Sequence, residues 1–236
     1  MDFSKKRILI TGGSRGIGKA CAQAFAARGA QIAINFHNNK QAAQETMDDL
    51  PGEKHMLIQA DVARPESVQM MIEKVVREFG DLDIVVNNAG ISQKHPIDTV
   101  DYETWQRAWQ QILAVNLIGP ANVMYRAVQH MKSFGGGRIV NVSSRGAFRG
   151  EPEQPAYGAS KAGLNSMSQS LAQQVAKHNI YIGVVAPGYV ETDMAAKTLS
   201  GPEGESIRQQ SPLGRVARPE EVAYAVLFLA SEGSEF

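Results

Sequence analysis

Cysteine is almost missing: Cys21 stands alone among 236 residues, so no intrachain disulfide can form and cysteine-rich metal sites are excluded. A reducing compartment is expected. An excess of charge of one sign is missing too, since 24 Lys plus Arg face 24 Asp plus Glu. That balance argues against partners held mainly by phosphate neutralisation, such as nucleic acid, and against an anionic membrane surface. Long apolar runs are absent. After Lys5-Lys6-Arg7 only Ile8, Leu9 and Ile10 precede Thr11-Gly12-Gly13, too short for a signal-peptide core or a membrane span, and a cytoplasmic location is expected. The histidines, His37, His55, His95, His130 and His178, show no ligand spacing, so no metal is expected. No repeat, low-complexity tract or Pro/Ser-rich linker divides the chain, and one domain over 1–236 is expected.

What is present is globular: 43% hydrophobic and 20% charged residues, enough for a substantial core. Short apolar runs alternate with segments of helical period, the pattern of βα units around a parallel sheet. Strands are predicted at Arg7 to Ile10, Gln31 to Phe36, His55 to Gln59, Asp83 to Val86, Arg138 to Val142 and Ile180 to Val185. They lack polar alternation, so both sheet faces are expected to be covered. Helices are predicted at Gly16 to Arg28, Gln41 to Leu50, Pro65 to Phe79, Tyr102 to Met131, Pro155 to His178 and Pro219 to Ala230. The result is an α/β fold, a doubly wound parallel sheet with helices on both faces. Glu191 to Arg218, rich in Gly and Pro, would lie at the carboxyl edge of the strands and serve as a substrate lid.

Thr11-Gly12-Gly13-Ser14-Arg15-Gly16-Ile17-Gly18 follows the first strand and opens the first helix. Its glycines permit a tight turn, and the helix start offers free N–H groups to a pyrophosphate. No Gly-Lys-Ser/Thr ends it, which disfavours nucleotide triphosphate hydrolysis. An acidic residue about 20 positions further on would select NAD. Here the second strand ends Asn35-Phe36-His37-Asn38-Asn39 with no carboxylate, while Arg15 sits inside the loop, ready to pair a 2′-phosphate. NADP(H) is therefore expected as the preferred cofactor, with NAD(H) as the alternative. His37 adds a donor or is a surface residue.

Tyr157 and Lys161 are four apart at a helix start and share a face. An adjacent ammonium lowers a phenol's pKa and turns it into an acid-base catalyst. Ser144, thirteen residues before Tyr157, closes the fifth strand where its hydroxyl can hold a carbonyl oxygen.

Together with the glycine loop, these residues resemble the short-chain dehydrogenase/reductase family in its compact single-domain form, whose sheet is of the Rossmann type. The 3-oxoacyl-[acyl-carrier-protein] reductases are the most similar branch. The resemblance runs from Lys6 to Leu229 and rests on Thr11 to Gly18, Asp61-Val62, Asn87-Asn88-Ala89-Gly90, Val115-Asn116-Leu117, Val142-Ser143-Ser144, Tyr157-Gly158-Ala159-Ser160-Lys161 and Pro187 to Met194. It implies a catalytic tetrad of Asn116, Ser144, Tyr157 and Lys161. Tyr157 would exchange the proton, Lys161 would lower its pKa and bind the nicotinamide ribose, and Asn116 would hold a water linking Lys161 to solvent.

The resemblance also implies the cofactor contacts. Gly12, Ser14, Arg15, Gly16, Ile17 and Gly18 would form the phosphate loop, and Phe36 and His37 would follow it at the second strand's end. Asp61 and Val62 would meet the adenine, though Asp61 also reads as a helix cap. Asn88, Ala89 and Gly90 would lie by the adenine ribose, and Pro187, Gly188, Val190 and Thr192 by the nicotinamide carboxamide. Asn87 would tie strands together.

An oxidoreductase moving a hydride between NADP(H) and a carbonyl or secondary alcohol is implied, with a 3-oxoacyl thioester as the first substrate and a homotetramer or dimer as the assembly. Alternatives are a sugar or polyol dehydrogenase and, from another class, a catalytically silent NADP-sensing regulator, which would be expected to lack Tyr157 or Lys161. Cys21 reads as core, and Trp105 and Trp109, one turn apart, as packing residues. Gln93, His95, Phe148, Arg149 and Tyr189 line the substrate pocket or are solvent-facing loop residues. The segment from Ile91 to Asn116 is longer than in the acyl-carrier reductases, putting Gln93-Lys94-His95-Pro96 at the entrance. The sequence stops at Ser234-Glu235-Phe236, where the family continues into a final strand: either the sequence is truncated there or the strand is absent, and in both cases a sheet without that strand is expected over 1–236.

Overall fold

The computed structural model describes residues 1–235. Six strands, β1 (Arg7–Thr11), β2 (Gln31–Phe36), β3 (Met56–Gln59), β4 (Ile84–Asn87), β5 (Gly137–Val142) and β6 (Ile180–Val185), form one sheet in the order β3-β2-β1-β4-β5-β6. Every pairing is parallel. The chain winds outward from β1 to β3, then returns to lay β4 on the other side of β1, so the reversal point lies between β1 and β4.

Strand pleating explains the near-continuous apolar runs. Ile8 and Ile10 enter one core with α1 (Gly16–Ala26) and α10 (Pro219–Ala230), while Leu9 between them enters the other with α3 (Pro65–Phe79) and α5 (Gly119–Ser133). Both faces of the sheet are covered, as a parallel sheet requires. Cys21 is fully buried in the first core, and burial pushes its thiol up to about 12, an unreactive state.

Most predicted elements recur with ends moved by one to three residues, as for α2 (Lys40–Asp48). Three differences matter for the site. The single helix expected from Tyr102 to Met131 is α4 (Tyr102–Leu113), a π-helical turn (Ala114–Ile118) and then α5. The short α6 (Gly146–Arg149), unforeseen, precedes α7 (Pro155–Val175). The irregular stretch after β6 folds into α8 (Asp193–Leu199) and α9 (Gly204–Gln209). Its two ends are stitched together by Glu191 N–H donating to Ala217 O at 2.8 Å and Ala217 N–H donating to Tyr189 O at 3.0 Å.

No final strand follows α10 among the described residues, and β6 is an edge of the sheet. Arg138 of β5 instead meets Ser234 and the Glu235 carboxylate and lies 4.9 Å over the Tyr181 ring. No helix of the described residues is long and apolar enough to cross a membrane.

Candidate active site

The carboxyl ends of β1, β2, β4 and β5 open into one cleft of about 880 Å³. Such a crevice is where doubly wound sheets take ligands. Of the residues expected to form the tetrad or to hold the cofactor, all line it except Gly18 and Asn116, which stand directly behind.

The loop after β1 is built for close approach. Gly12 has φ +62° and a Cβ there would lie 2.9 Å from Ala89 Cα, while one on Gly18 would lie 2.3 Å from Gly12 O. Gly18 therefore serves by letting α1 close on the loop. At the start of α1, Arg15 is extended and makes no side-chain cap, and no acidic residue occupies the first turn. The N–H groups and positive end of the helix remain for an anion.

Buried polar side chains hold the loop from behind. Asn35 Oδ1 accepts from Gly12 N–H at 3.3 Å, and its Nδ2 donates to Ile58 O and Ala60 O. Thr46 Oγ1 donates to Ser14 O at 2.9 Å. Neither residue was foreseen, although a lone Asn at the end of the apolar strand Gln31–Phe36 was the available signal. Asn88 belongs with them: its Nδ2 donates to Thr11 O and Gly12 O at 3.0 and 2.9 Å, so that amide builds the loop and is not free for the ribose. Asn87 ties strands as expected, donating from Nδ2 to Asn141 Oδ1 at 2.8 Å, and Asn141 passes the link to Ser168.

At the far side of the loop, Arg15 and His37 are exposed and Arg15 has no ion-pair partner among the described residues. Asp61 is not a helix cap. Its Oδ1 accepts from Ala63 N–H at 3.0 Å in a local turn, and its Oδ2 faces Arg64 at 3.6 Å and His37 at 3.8 Å. Thr192, at the start of α8, closes the other end: a Cβ on Gly16 would lie 3.1 Å from Thr192 Cγ2. The cleft thus runs from the glycine loop to the foot of the α8–α9 segment.

The first turns of α7 supply the reactive groups. Tyr157 and Lys161 face the cleft with Nζ 5.8 Å from the phenol ring centroid. Lys161 is 5% exposed and donates from Nζ to Val142 O at 2.9 Å. Burial draws its pKa down to about 8. Ser144 Oγ accepts from Gly146 N–H at 3.1 Å, which points the hydroxyl at the cleft. Its neighbour Ser143 is buried, and its hydroxyl donates to Lys161 O at 3.4 Å.

One expectation needs correction. The phenol is not made more acidic by its lysine. Burial is the largest influence and pushes Tyr157 above its ordinary value, Ser144's hydrogen bond opposes, and the Glu151 and Tyr189 charges push up again. Four-residue spacing fixes proximity but not desolvation, which here outweighs it. The Asn116 side chain is bonded within the protein. Placed by the π-helical turn, its Oδ1 accepts from Ile91 N–H at 2.8 Å, and its Nδ2 donates to Ile91 O at 2.9 Å and Ser160 Oγ at 3.2 Å. It clamps the segment after β4 onto α7. Proximity to the lysine is as expected, since a Cβ on Gly90 would lie 3.4 Å from Asn116 Oδ1 and 3.6 Å from Lys161 Nζ.

Of the residues read as pocket lining or loop surface, Tyr189 lines the cleft with Arg145 stacked 4.7 Å over its ring. Gln93, Phe148 and Arg149 are exposed and stand outside it. His95 is neither, being fully buried. Trp105 and Trp109 pack on each other with ring centroids 5.8 Å apart. Among the described residues no group of three His, Cys, Asp or Glu side chains is placed to hold a metal ion.

This fold and this constellation are those of an oxidoreductase, and the comparisons agree: the chain belongs to the short-chain dehydrogenase/reductase family. A family model described as "Enoyl-(Acyl carrier protein) reductase" matches residues 12–236. The 3-oxoacyl-[acyl-carrier-protein] reductase FabG of Escherichia coli K12 is 38% identical over 236 residues, covering 100% of this chain and 94% of that protein. Carbonyl reductase family member 4 of Danio rerio is 40% identical over 221 residues, covering 94% and 89%. A crystal structure of a dehydrogenase/reductase from Sinorhizobium meliloti superposes with a TM-score of 0.91 at 31% identity, covering 100% of this chain and 91% of that one. The 3-oxoacyl-[acyl-carrier-protein] reductase FabG of Chlamydia muridarum is likewise 38% identical, over 234 residues, covering 98% of this chain and 92% of that protein.

Proposed function

We propose that the protein is an NADP(H)-dependent carbonyl reductase, working in the reverse direction as a secondary-alcohol dehydrogenase, with 3-oxoacyl thioesters as its substrates. The observation that carries this is the shared cleft: the glycine loop, Ser144, Tyr157 and Lys161 all open into it. The residues present fit a dinucleotide, since the left-handed backbone at Gly12 and Gly16, φ +62° and +52°, makes the tight turn of the loop and the uncapped start of α1 leaves N–H donors for a pyrophosphate.

Bound NADPH supplies the hydride. Ser144 holds the carbonyl oxygen by a hydrogen bond and Tyr157 delivers its hydroxyl proton to that oxygen as it becomes an alkoxide. A phenol held above its ordinary pKa stays protonated at neutral pH, the state a proton donor for reduction needs. Lys161, buried beside the ring and fixed to Val142 O, binds the nicotinamide ribose hydroxyls, and Val190 and Thr192 orient the carboxamide.

Arg15 supports NADP over NAD. It is the exposed cation of the loop, and β2 ends without a carboxylate. His37 and Arg64 flank Asp61 at 3.8 and 3.6 Å. The resemblance to carrier-protein reductases and the single buried cysteine support a cytoplasmic homo-oligomer, a tetramer or dimer. Exposed Tyr125 on α5 and Tyr224 and Phe228 on α10 are suitable contact residues.

A second reading, a sugar or polyol dehydrogenase, draws support from Ser92, Glu151 and Gln154, polar side chains lining the cleft near Tyr157. One experiment addresses both readings. Nicotinamide absorbance is followed over a panel of 3-oxoacyl thioesters, simple ketones and polyols, with wild-type protein and Arg15→Ala. The expected result is fastest NADPH oxidation on 3-oxoacyl thioesters. Arg15→Ala is expected to weaken NADPH about ten- to a hundredfold, through loss of a charge-assisted hydrogen bond, with NADH nearly unaffected. Equal losses for the two coenzymes would remove the 2′-phosphate assignment, and turnover confined to polyols would select the second reading.

A further inference from the structure

The start of α7 carries the proton donor, yet its own sequence does little to hold it. The N-cap residue, Gln154, makes no side-chain cap, Pro155 has no N–H, and Tyr157 N–H donates to Gln154 O at 3.0 Å, so Ala156 N–H is the first-turn donor that needs a partner from elsewhere. It finds one in His95. Its Nε2 accepts from Ala156 N–H at 3.2 Å, one residue before Tyr157. The other ring nitrogen, Nδ1, lies 2.8 Å from Gln93 O.

These partners settle the tautomer. A carbonyl only accepts and a backbone N–H only donates, so Nδ1 carries the proton, Nε2 is bare and the ring is neutral. The imidazole is fully buried and lies edge-on to Trp105 with centroids 5.5 Å apart. Its backbone is fixed as well, His95 N–H donating to Glu153 O at 2.8 Å. Around it Ser92 bonds Gln154, and Lys94 pairs with Glu153 at 2.5 Å. The segment after β4 is thus bonded at each of residues 153, 154 and 156, immediately before the catalytic phenol.

We propose that His95 is a positioning residue for Tyr157: from the facing loop it caps the first turn of α7 and sets where the phenol hydroxyl stands in the cleft. The inference rests on Tyr157 being the proton donor and adds a residue that touches neither substrate nor coenzyme. A small displacement of a helix start moves the hydroxyl of its second or third residue by a similar distance, and misplacement by about 1 Å costs on the order of a hundredfold in rate. His95→Ala removes the acceptor and opens a cavity. His95→Gln puts an amide oxygen near the Nε2 position and an amide N–H within reach of Gln93 O.

The test measures kcat, KM and NADPH affinity in wild type, His95→Ala and His95→Gln, together with amide hydrogen exchange over 154–160. For His95→Ala the expected result is a fall in kcat of about ten- to a hundredfold, KM and NADPH affinity within about threefold, and faster exchange across that peptide. His95→Gln is expected to restore kcat to within about threefold and to restore protection. Wild-type kcat in His95→Ala would overturn the proposal, as would His95→Gln proving no better than His95→Ala. If the wild-type protein turns over no carbonyl on the panel, the proposed function fails by itself, and the exchange comparison still reads the cap: unchanged protection in His95→Ala would refute it.

Discussion

Replacing Tyr157 by Phe is expected to reduce kcat for carbonyl reduction by about a hundredfold to ten-thousandfold, the usual contribution of a positioned general acid. The substitution removes one oxygen from a ring that packs beside Ala108, Ile112 and Ala156, so packing is preserved. NADPH affinity should change by no more than a few-fold, because the glycine loop, Arg15 and Lys161 are untouched. The pH dependence carries a second signature. In alcohol oxidation the phenolate is the proton acceptor, and burial raises the phenol's pKa. Wild-type oxidation should therefore climb as pH rises through the alkaline range, whereas Tyr157→Phe should give a flat residual rate. Unchanged kcat in the variant, measured by NADPH absorbance, would remove Tyr157 from the chemistry.

Lys161→Met should show the opposite pairing of effects, lost activity with gained stability. The ammonium is enclosed, and Val142 O is the hydrogen-bond acceptor it has among the described residues. Its pKa is lowered from 10.5 to about 8, so folding disfavours the charged form. Below about pH 8 native and unfolded states both carry the proton and the full penalty applies, on the order of 3 kcal/mol. Between about 8 and 10.5 the unfolded state binds more protons than the native state, so stability rises with pH and the penalty fades. A thioether of similar length removes the buried charge at the loss of one hydrogen bond, about 1 kcal/mol. At pH 7 the variant is expected to melt about 3–8 °C higher than wild type, and this difference should shrink steadily toward pH 10 or above. Activity should fall by about a hundredfold or more, since ribose binding and the positive charge near the phenol are lost together. A lower Tm at pH 7, read by calorimetry, would show that the ammonium stabilises the fold and contradict its description as a buried, uncompensated charge.

The sheet was legible because parallel strands buried on both faces write themselves as unbroken Ile, Leu and Val runs, as in Ile8-Leu9-Ile10 and Ile84-Val85-Val86. The site was legible where chemistry depends on local spacing: glycines at a strand-to-helix turn, and Tyr157 and Lys161 four apart. What failed to show depended on distant parts of the chain. The π-helical turn that places Asn116 interrupts a hydropathy pattern that runs on without a break from α4 into α5. Helices α8 and α9 hide in a Gly- and Pro-rich stretch, because their order comes from the bonds among Tyr189, Glu191 and Ala217. The direction of the Tyr157 shift depends on burial, which no spacing reveals. His95 sits in the polar run Gln93-Lys94-His95-Pro96 and looks exposed, and only the fold brings α7 over it.

The most direct measurement is a crystal structure of the protein with bound NADPH and a non-reacting ketone. The expected result has the pyrophosphate on the N–H groups of Gly12 to Gly18, the 2′-phosphate at Arg15, and the ketone oxygen within hydrogen-bond reach of both the Ser144 and Tyr157 hydroxyls. A nicotinamide ring directed away from Tyr157, or a coenzyme seated outside this cleft, would contradict the account.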